Sequence, residues 1–255
     1  MKNTTIILRL ILTFTLCLGT LNLKAQPVQF SHLTTDEGLS QCSVNGLYID
    51  EHGAVWIATR EGLNRYNGHS VVTHRLEKGN PNSLFCNSIL RITGNGNGML
   101  YLVCAEGIAQ YDMRQQSFTT IAKGSFNSIF YDKELYVGRL REVLRYDSIN
   151  HQFSSFLFLK DSKREASCLY RQDNQLYVGT MGDGLFCYDT NTKEVTHPIK
   201  QGRMTNIYCD SKKNLWIGSW DDGLFRIAPN GEITNFRHNP KEETVSYTHL
   251  RAHET

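Results

Sequence analysis

Val55-Trp56-Ile57-Ala58-Thr59, followed after two residues by Gly62-Leu63-Asn64-Arg65-Tyr66, is a phrase that this 255-residue chain states five times with variation. Leu100-Tyr101-Leu102-Val103-Cys104 with Gly107-Ile108-Ala109-Gln110-Tyr111 is the second statement, and Leu135-Tyr136-Val137-Gly138 is the third. Leu176-Tyr177-Val178-Gly179-Thr180 with Gly184-Leu185-Phe186-Cys187-Tyr188, and Leu215-Trp216-Ile217-Gly218-Ser219 with Gly223-Leu224-Phe225-Arg226-Ile227, complete the set. The lead aromatics Trp56, Tyr101, Tyr136, Tyr177 and Trp216 stand 45, 35, 41 and 39 residues apart. That is the period of a β-propeller blade.

Each unit reads as four short antiparallel strands. In the first, Val44 to Ile49 alternates as an inner strand, Asp50-Glu51-His52-Gly53 turns, and Ala54 to Thr59 is an apolar run suited to burial between blades. Gly62 to Tyr66 is the third strand, Asn67-Gly68 reads as a two-residue hairpin turn, and Ser70 to Arg75 is the fourth. The pattern predicts blades at 44–75, 87–122, 126–159, 167–200 and 204–238. In the third, Arg139-Leu140-Arg141-Glu142 stands where the glycine belongs, which predicts an irregular hairpin. The carboxylates of turns such as Asp50 to Gly53 read as turn formers that bond their own backbone, too sparse for a calcium loop. The expected fold is all-β, an incomplete propeller of about five four-stranded blades forming an open arc of a seven-bladed ring. Residues 26–43, with Val28 to Leu33 as a strand, would open it.

The two ends are composed differently. Lys2 and Arg9 lead an apolar stretch from Ile6 to Leu18, with Ala25 before Gln26, so residues 1–25 read as a signal peptide; an uncleaved anchor is the alternative. At the other end, Val245 to Thr255 breaks the repeat and resembles a translated sequencing adapter, so the natural coding sequence is expected to run out near Thr244. On that reading His249 and His253, despite their i, i+4 spacing, hold no metal. The formal net charge of +2 counts Lys2, Arg9 and Lys24, and without those three cations the exported chain stands at −1. Such a chain has no electrostatic footprint for nucleic acid. Six cysteines follow Cys17, namely Cys42, Cys86, Cys104, Cys168, Cys187 and Cys209. None falls in a C-x-x-C pair, and the pattern favours small buried residues over a disulfide framework, which stays open.

Phe30 to Ser40 ("FSHLTTDEGLS"), Asp50 to Gly68 ("DEHGAVWIATREGLNRYNG") and the later "NLWIGSWDDGLFRI" together resemble the start of the periplasmic sensor region of Bacteroidetes hybrid two-component regulators. The resemblance spans residues 27–244. It implies two propellers of about seven blades, an immunoglobulin-like domain, a membrane helix, a histidine kinase, a receiver and a helix-turn-helix output. The chain would be the first part of a periplasmic antenna whose parent is anchored in the inner membrane and dimerises. Its partners would be an oligosaccharide ligand, the remaining blades and the second propeller; no cofactor is implied.

Candidate ligand-binding residues lie where second-to-third-strand loops and blade connections converge: Arg60, Glu61, Glu106, Arg139, Arg141, Met181, Asp183, Trp220, Asp221 and Asp222. Trp220 stands out because an indole in a polar loop can stack on a sugar ring while carboxylates accept its hydroxyl hydrogens. Two other functions compete with sensing. An exported propeller enzyme acting on polysaccharide would use Asp183 and Asp221, read as corresponding positions in successive repeats, as a carboxylate pair; an adhesion or scaffold propeller would share the blades. No Ser-His-Asp arrangement, phosphate loop or metal cluster accompanies the acids.

Overall fold

A computed structural model describes residues 32–237, of which those from Thr34 onward form one compact unit. The expected signal peptide, most of the Val28 to Leu33 strand and the 245–255 tail lie outside the described residues. Residues 34–43 hold turns and no strand. Leu39 is nevertheless buried, and the Ser40 amide donates to Asn64 Oδ1 at 2.9 Å, so this segment covers part of the first blade.

Twenty strands follow, in five groups of four. They are β1 to β4 (Val44–Ile49, Val55–Thr59, Gly62–Tyr66, Val71–His74), β5 to β8 (Ile89–Gly94, Met99–Cys104, Gly107–Asp112, Ser117–Lys123) and β9 to β12 (Ser128–Asp132, Glu134–Arg139, Glu142–Asp147, Gln152–Phe158). The last two groups are β13 to β16 (Ala166–Gln172, Gln175–Gly182, Leu185–Asp189, Val195–Ile199) and β17 to β20 (Gly202–Cys209, Leu215–Ser219, Leu224–Ile227, Ile233–Phe236). Each group is an antiparallel meander. The inner strands pack in chain order, β1 on β5, β5 on β9, β9 on β13 and β13 on β17. This is an incomplete β-propeller of five blades. The fourth and fifth blades are also joined edge to edge, because β14 runs on to pair Met181 with Arg203 and Gly182 with Gly202.

Three repeated devices explain why the phrase folds this way. The first is the lead aromatic, which fills the gap to the next blade. Trp56 packs on Tyr111 with ring centroids 5.5 Å apart, and Tyr101 stacks on Tyr131 at 5.8 Å; full burial of such a ring contributes on the order of 2–3 kcal/mol. The second is a one-residue bulge near the start of the inner strand, at Asn45, Leu90, Ser167 and Thr205. A bulge turns its side chain out of the ladder, and Asn45 and Ser167 use that freedom to donate to Ile89 O and Met204 O of the next blade, at 2.8 and 2.6 Å. The third is the glycine at the second hairpin. A Cβ on Gly62 would lie 2.6 Å from the His74 carbonyl oxygen, and one on Gly184 or Gly223 would collide with the Ile199 or Phe236 carbonyl.

Two expectations need correction. The Asn67-Gly68 turn is not a two-residue hairpin, since Tyr66 pairs with Val71 and leaves a four-residue loop. Asn67 Oδ1 accepts from the amides of His69 and Ser70, which moves the turn one step along the chain. The third blade's hairpin is regular in pairing, with Arg139 opposite Glu142. Here Glu142 stands at the glycine position, opposite Arg139 as Gly62 is opposite Thr59, and the left-handed conformation moves one residue earlier to Arg141, at φ 59°.

The aspartates of the first hairpins are turn formers, as expected, and they do more than turn the chain. Asp50 accepts from the amides of His52 and Ala54 through Oδ1 and from the Trp56 indole through Oδ2, at 3.0, 2.9 and 2.8 Å. Asp210 repeats this with Lys212, Asn214 and Trp216. Burial alone would raise the Asp50 pKa, but these donors together hold it below its usual value. The Trp216 and Asn214 side chains pull Asp210 down to about 2. The six cysteines among the described residues are free thiols, and burial pushes Cys104 and Cys168 up to about 12.

Candidate ligand-binding site

Five second-to-third-strand hairpins carry the candidate residues, and the fold sorts those residues into separate groups. In the first blade Arg60 and Glu61 are exposed, held only through the backbone: the Arg60 amide donates to Gln41 Oε1, and Glu61 O accepts from Arg75 Nε. Glu106 likewise offers its carbonyl, to Gly124 N. Arg139 is closed on Glu142 through Nε at 2.8 Å. Arg141 lies over the Phe158 ring at 5.1 Å and donates to Lys160 O at 3.1 Å. These side chains are already engaged or solvated.

The fourth and fifth blades bring the rest together. The Met181 amide donates to Glu165 O, and Met181 pairs with Arg203 across the blade boundary. Asp183 Oδ2 accepts from Lys163 N at 2.7 Å and Ser162 Oγ at 3.0 Å, and His197 Nε2 donates to its carbonyl at 2.6 Å. Burial works to raise the Asp183 pKa, and the Lys163 and Ser162 donors overcome it and hold the pKa low. Arg203, a residue that sequence reasoning passed over, closes on Asp221 with both ends of its fork, Nε to Oδ2 at 2.7 Å and Nη2 to Oδ1 at 2.6 Å. The same guanidinium faces the Trp220 ring at 5.8 Å, and the Trp220 amide donates to Arg203 O. Trp220 is 71% exposed. Asp222 accepts from Arg237 at 2.6 Å.

An exposed indole is thus backed by a cation whose planar fork is fixed by a carboxylate. Such an arrangement offers a flat apolar face beside oriented hydrogen-bonding groups. The enzyme reading takes Asp183 and Asp221 as corresponding positions, and the register corrects that. The strand registers put Gly179 opposite Leu185 and Gly218 opposite Leu224, so Asp183 corresponds to Asp222 and not to Asp221. Asp221, bonded by Arg203, and Asp183 both have lowered pKa values, whereas a general acid needs a raised one.

Residues 198–221, from the end of β16 through Asp221, match the family model "Two component regulator propeller". A 57-residue segment of the chain is 40% identical to histidine kinase P4 of Formosa agariphila, covering 22% of the chain and 4% of that protein. The fold matches the extracellular domain of a hybrid two component system from B. thetaiotaomicron at TM-score 0.69 and 23% identity, over 80% of this chain and 31% of that one. The extracellular domain of a one component system from B. thetaiotaomicron matches at TM-score 0.57 and 18% identity, over 78% of this chain and 34% of that one. The chain therefore spans about a third of the length of these two domains. Streptogramin B lyase shares the fold at TM-score 0.62 and 13% identity, over 78% of this chain and 70% of that one.

Proposed function

We propose that this propeller is an extracytoplasmic sensor module of a hybrid two-component regulator, and that it binds a glycan-derived oligosaccharide at the rim of its fourth and fifth blades. The parent is then periplasmic in its sensor part, anchored in the inner membrane and dimeric, and it passes binding to transcription through kinase and output domains. The regulator propeller match and the sensor ectodomains of the same fold support the sensor part of this reading. The Trp220–Arg203–Asp221 arrangement carries the ligand part, because it alone among the candidate residues leaves a large aromatic face open with fixed polar groups beside it. Sugar rings stack on such faces while their hydroxyls bond neighbouring carboxylates and amides.

Isothermal titration of the purified protein with a panel of oligosaccharides is expected to find one that binds, and Trp220→Ala to weaken it about tenfold or more. Unchanged affinity in that variant removes the rim as the site. For the sensor reading, the coding region downstream of residue 244 in uninterrupted genomic DNA is expected to encode a membrane helix and a histidine-kinase core. A stop codon after one propeller would sink it.

A further inference from the structure

A cavity of about 590 Å³ opens between the first and second blades, at the first-hairpin ends of their strands. Its walls come from the Asp50 to Ala54 hairpin and strands β3 and β4 on one side, and from Gly96 to Gly98, Tyr111 and the Met113 to Gln116 turn on the other. The floor is aromatic: Trp56 and Tyr111 are 2% and 3% exposed, and His74 lies between them, 5.8 Å from the Trp56 ring and 5.2 Å from Tyr111.

What singles this cavity out is a set of polar groups without internal partners. Among the described residues, the Arg65 guanidinium, the His74 imidazole and the Tyr111 hydroxyl make no hydrogen bond or ion pair within the protein. All three line the same space. Arg65 is half-buried and parked over the Trp56 ring at 5.7 Å, which fixes its plane while leaving its donors unspent. These groups reach the open space of the cavity and are free to bond a molecule that enters it, and a concave, aromatic-floored pocket with a few convergent polar groups is the usual form of a small-molecule site.

The charges narrow the choice of acceptor. Arg65 and Arg114 supply two positive charges to the walls, and Asp50 and Glu51 supply two negative ones. Asp50 has both oxygens committed to its own hairpin and Trp56 and meets Arg65 only through its charge, so it takes none of the guanidinium's hydrogen-bond donors. Arg114 reaches Asn97 Oδ1 at 3.2 Å with one nitrogen and is otherwise exposed. A planar guanidinium fork matches a carboxylate, and near-balanced surroundings favour one negative charge over two. Burial and the nearby Arg65 lower the His74 pKa, so His74 meets a ligand as a neutral imidazole able to donate from one nitrogen and accept at the other. The volume falls within the roughly 300–1,000 Å³ range of small-molecule sites.

We propose that this interblade cavity binds a small carboxylate-bearing ligand of sugar-acid size, with Arg65 holding the carboxylate, and His74 and Tyr111 bonding its polar groups. The site is separate from the Trp220 rim. Glucuronate, galacturonate and gluconate are the probes, with glucose and galactose as their uncharged counterparts and inorganic phosphate as competitor. At least one of the acids is expected to bind saturably by titration calorimetry, its uncharged counterpart at least tenfold more weakly, with phosphate failing to displace it. Arg65→Gln is expected to weaken that acid tenfold or more, Arg114→Gln by a smaller factor, and Trp220→Ala to leave it unchanged. Circular dichroism of each variant verifies the fold, and Arg114→Gln, at an exposed turn, keeps the test in force if Arg65→Gln fails to fold. Binding by none of the three acids, equal binding of a neutral sugar, displacement by phosphate, or unchanged affinity in both arginine variants overturns the proposal. Loss of oligosaccharide binding at Trp220 alone leaves it standing.

Discussion

Replacing Asp50 by alanine tests how the first blade closes its first hairpin, a device that Asp210 repeats in the fifth. Asp50 accepts three hydrogen bonds, from His52 N, Ala54 N and the Trp56 indole. His52 is exposed and its amide will find water, but Ala54 and Trp56 are 4% and 2% exposed and theirs will not. Two donors are left buried without an acceptor, at about 1–3 kcal/mol each, so the variant should lose about 2–6 kcal/mol of stability. Urea unfolding followed by circular dichroism measures this as a lower midpoint with an unchanged slope. Trp56→Phe should cost less when made on top of Asp50→Ala than when made alone, because the indole donor has no acceptor left to lose. A loss below about 0.5 kcal/mol in Asp50→Ala, or strictly additive effects in the pair, would show that the bonds are incidental to the hairpin.

Two further predictions follow from the same repeat. Gly184→Ala should cost about 3 kcal/mol or more in urea unfolding, since its Cβ meets the Ile199 carbonyl at φ +76°, while Gly53→Ala, at φ +80° in open space, should cost about 1–2 kcal/mol for the dihedral alone. Equal costs would refute the steric role of the hairpin glycine. The Asp210 carboxyl, drawn down to about 2 by its hydrogen bonds, should stabilise the fold fully above its usual value of 3.8 and lose that contribution as pH falls from there toward 2. Comparing urea midpoints of the parent and Asp210→Asn between pH 6 and pH 3 checks this, because the gap between them should narrow only at the acid end; a gap that widens as pH falls would reverse the sign.

The fold was legible in the sequence because blades repeat, and each repeat marks the same positions with the same residue types. A buried aromatic, an apolar run and a glycine recur in register, and each has a steric reason to recur. The misreadings came where local chemistry shifted a turn. Asn67 looked like the first residue of a tight hairpin, yet its side chain caps the amides of His69 and Ser70 and opens the loop to four residues. Arg141 takes the left-handed conformation without being a glycine, so the third hairpin closes where the pattern predicted a fault. The candidate site was legible in part. Trp220 could be found as an aromatic in a polar loop, but Arg203 could not, because its partnership with Asp221 is made across the meander and no spacing marks it. Cavities between blades were hidden for the same reason, since Arg65 and Tyr111 belong to different repeats and meet only in space.

The edge-to-edge pairing of β14 with β17 has a mechanical consequence. The hairpin from Thr180 to Gly184 is clamped on one flank by Glu165 O, which takes the Met181 amide, and on the other by Gly202, whose carbonyl takes the Gly184 amide. The Glu165 side is itself tied to the third blade, where Leu140 bridges Glu165 and the Arg141 amide donates to Arg164 O. The Gly202 side leads directly into Arg203 and so to Trp220. A load applied at the Trp220 tip therefore cannot be absorbed by one loop. It runs along a strap of main-chain hydrogen bonds from the fifth blade to the third.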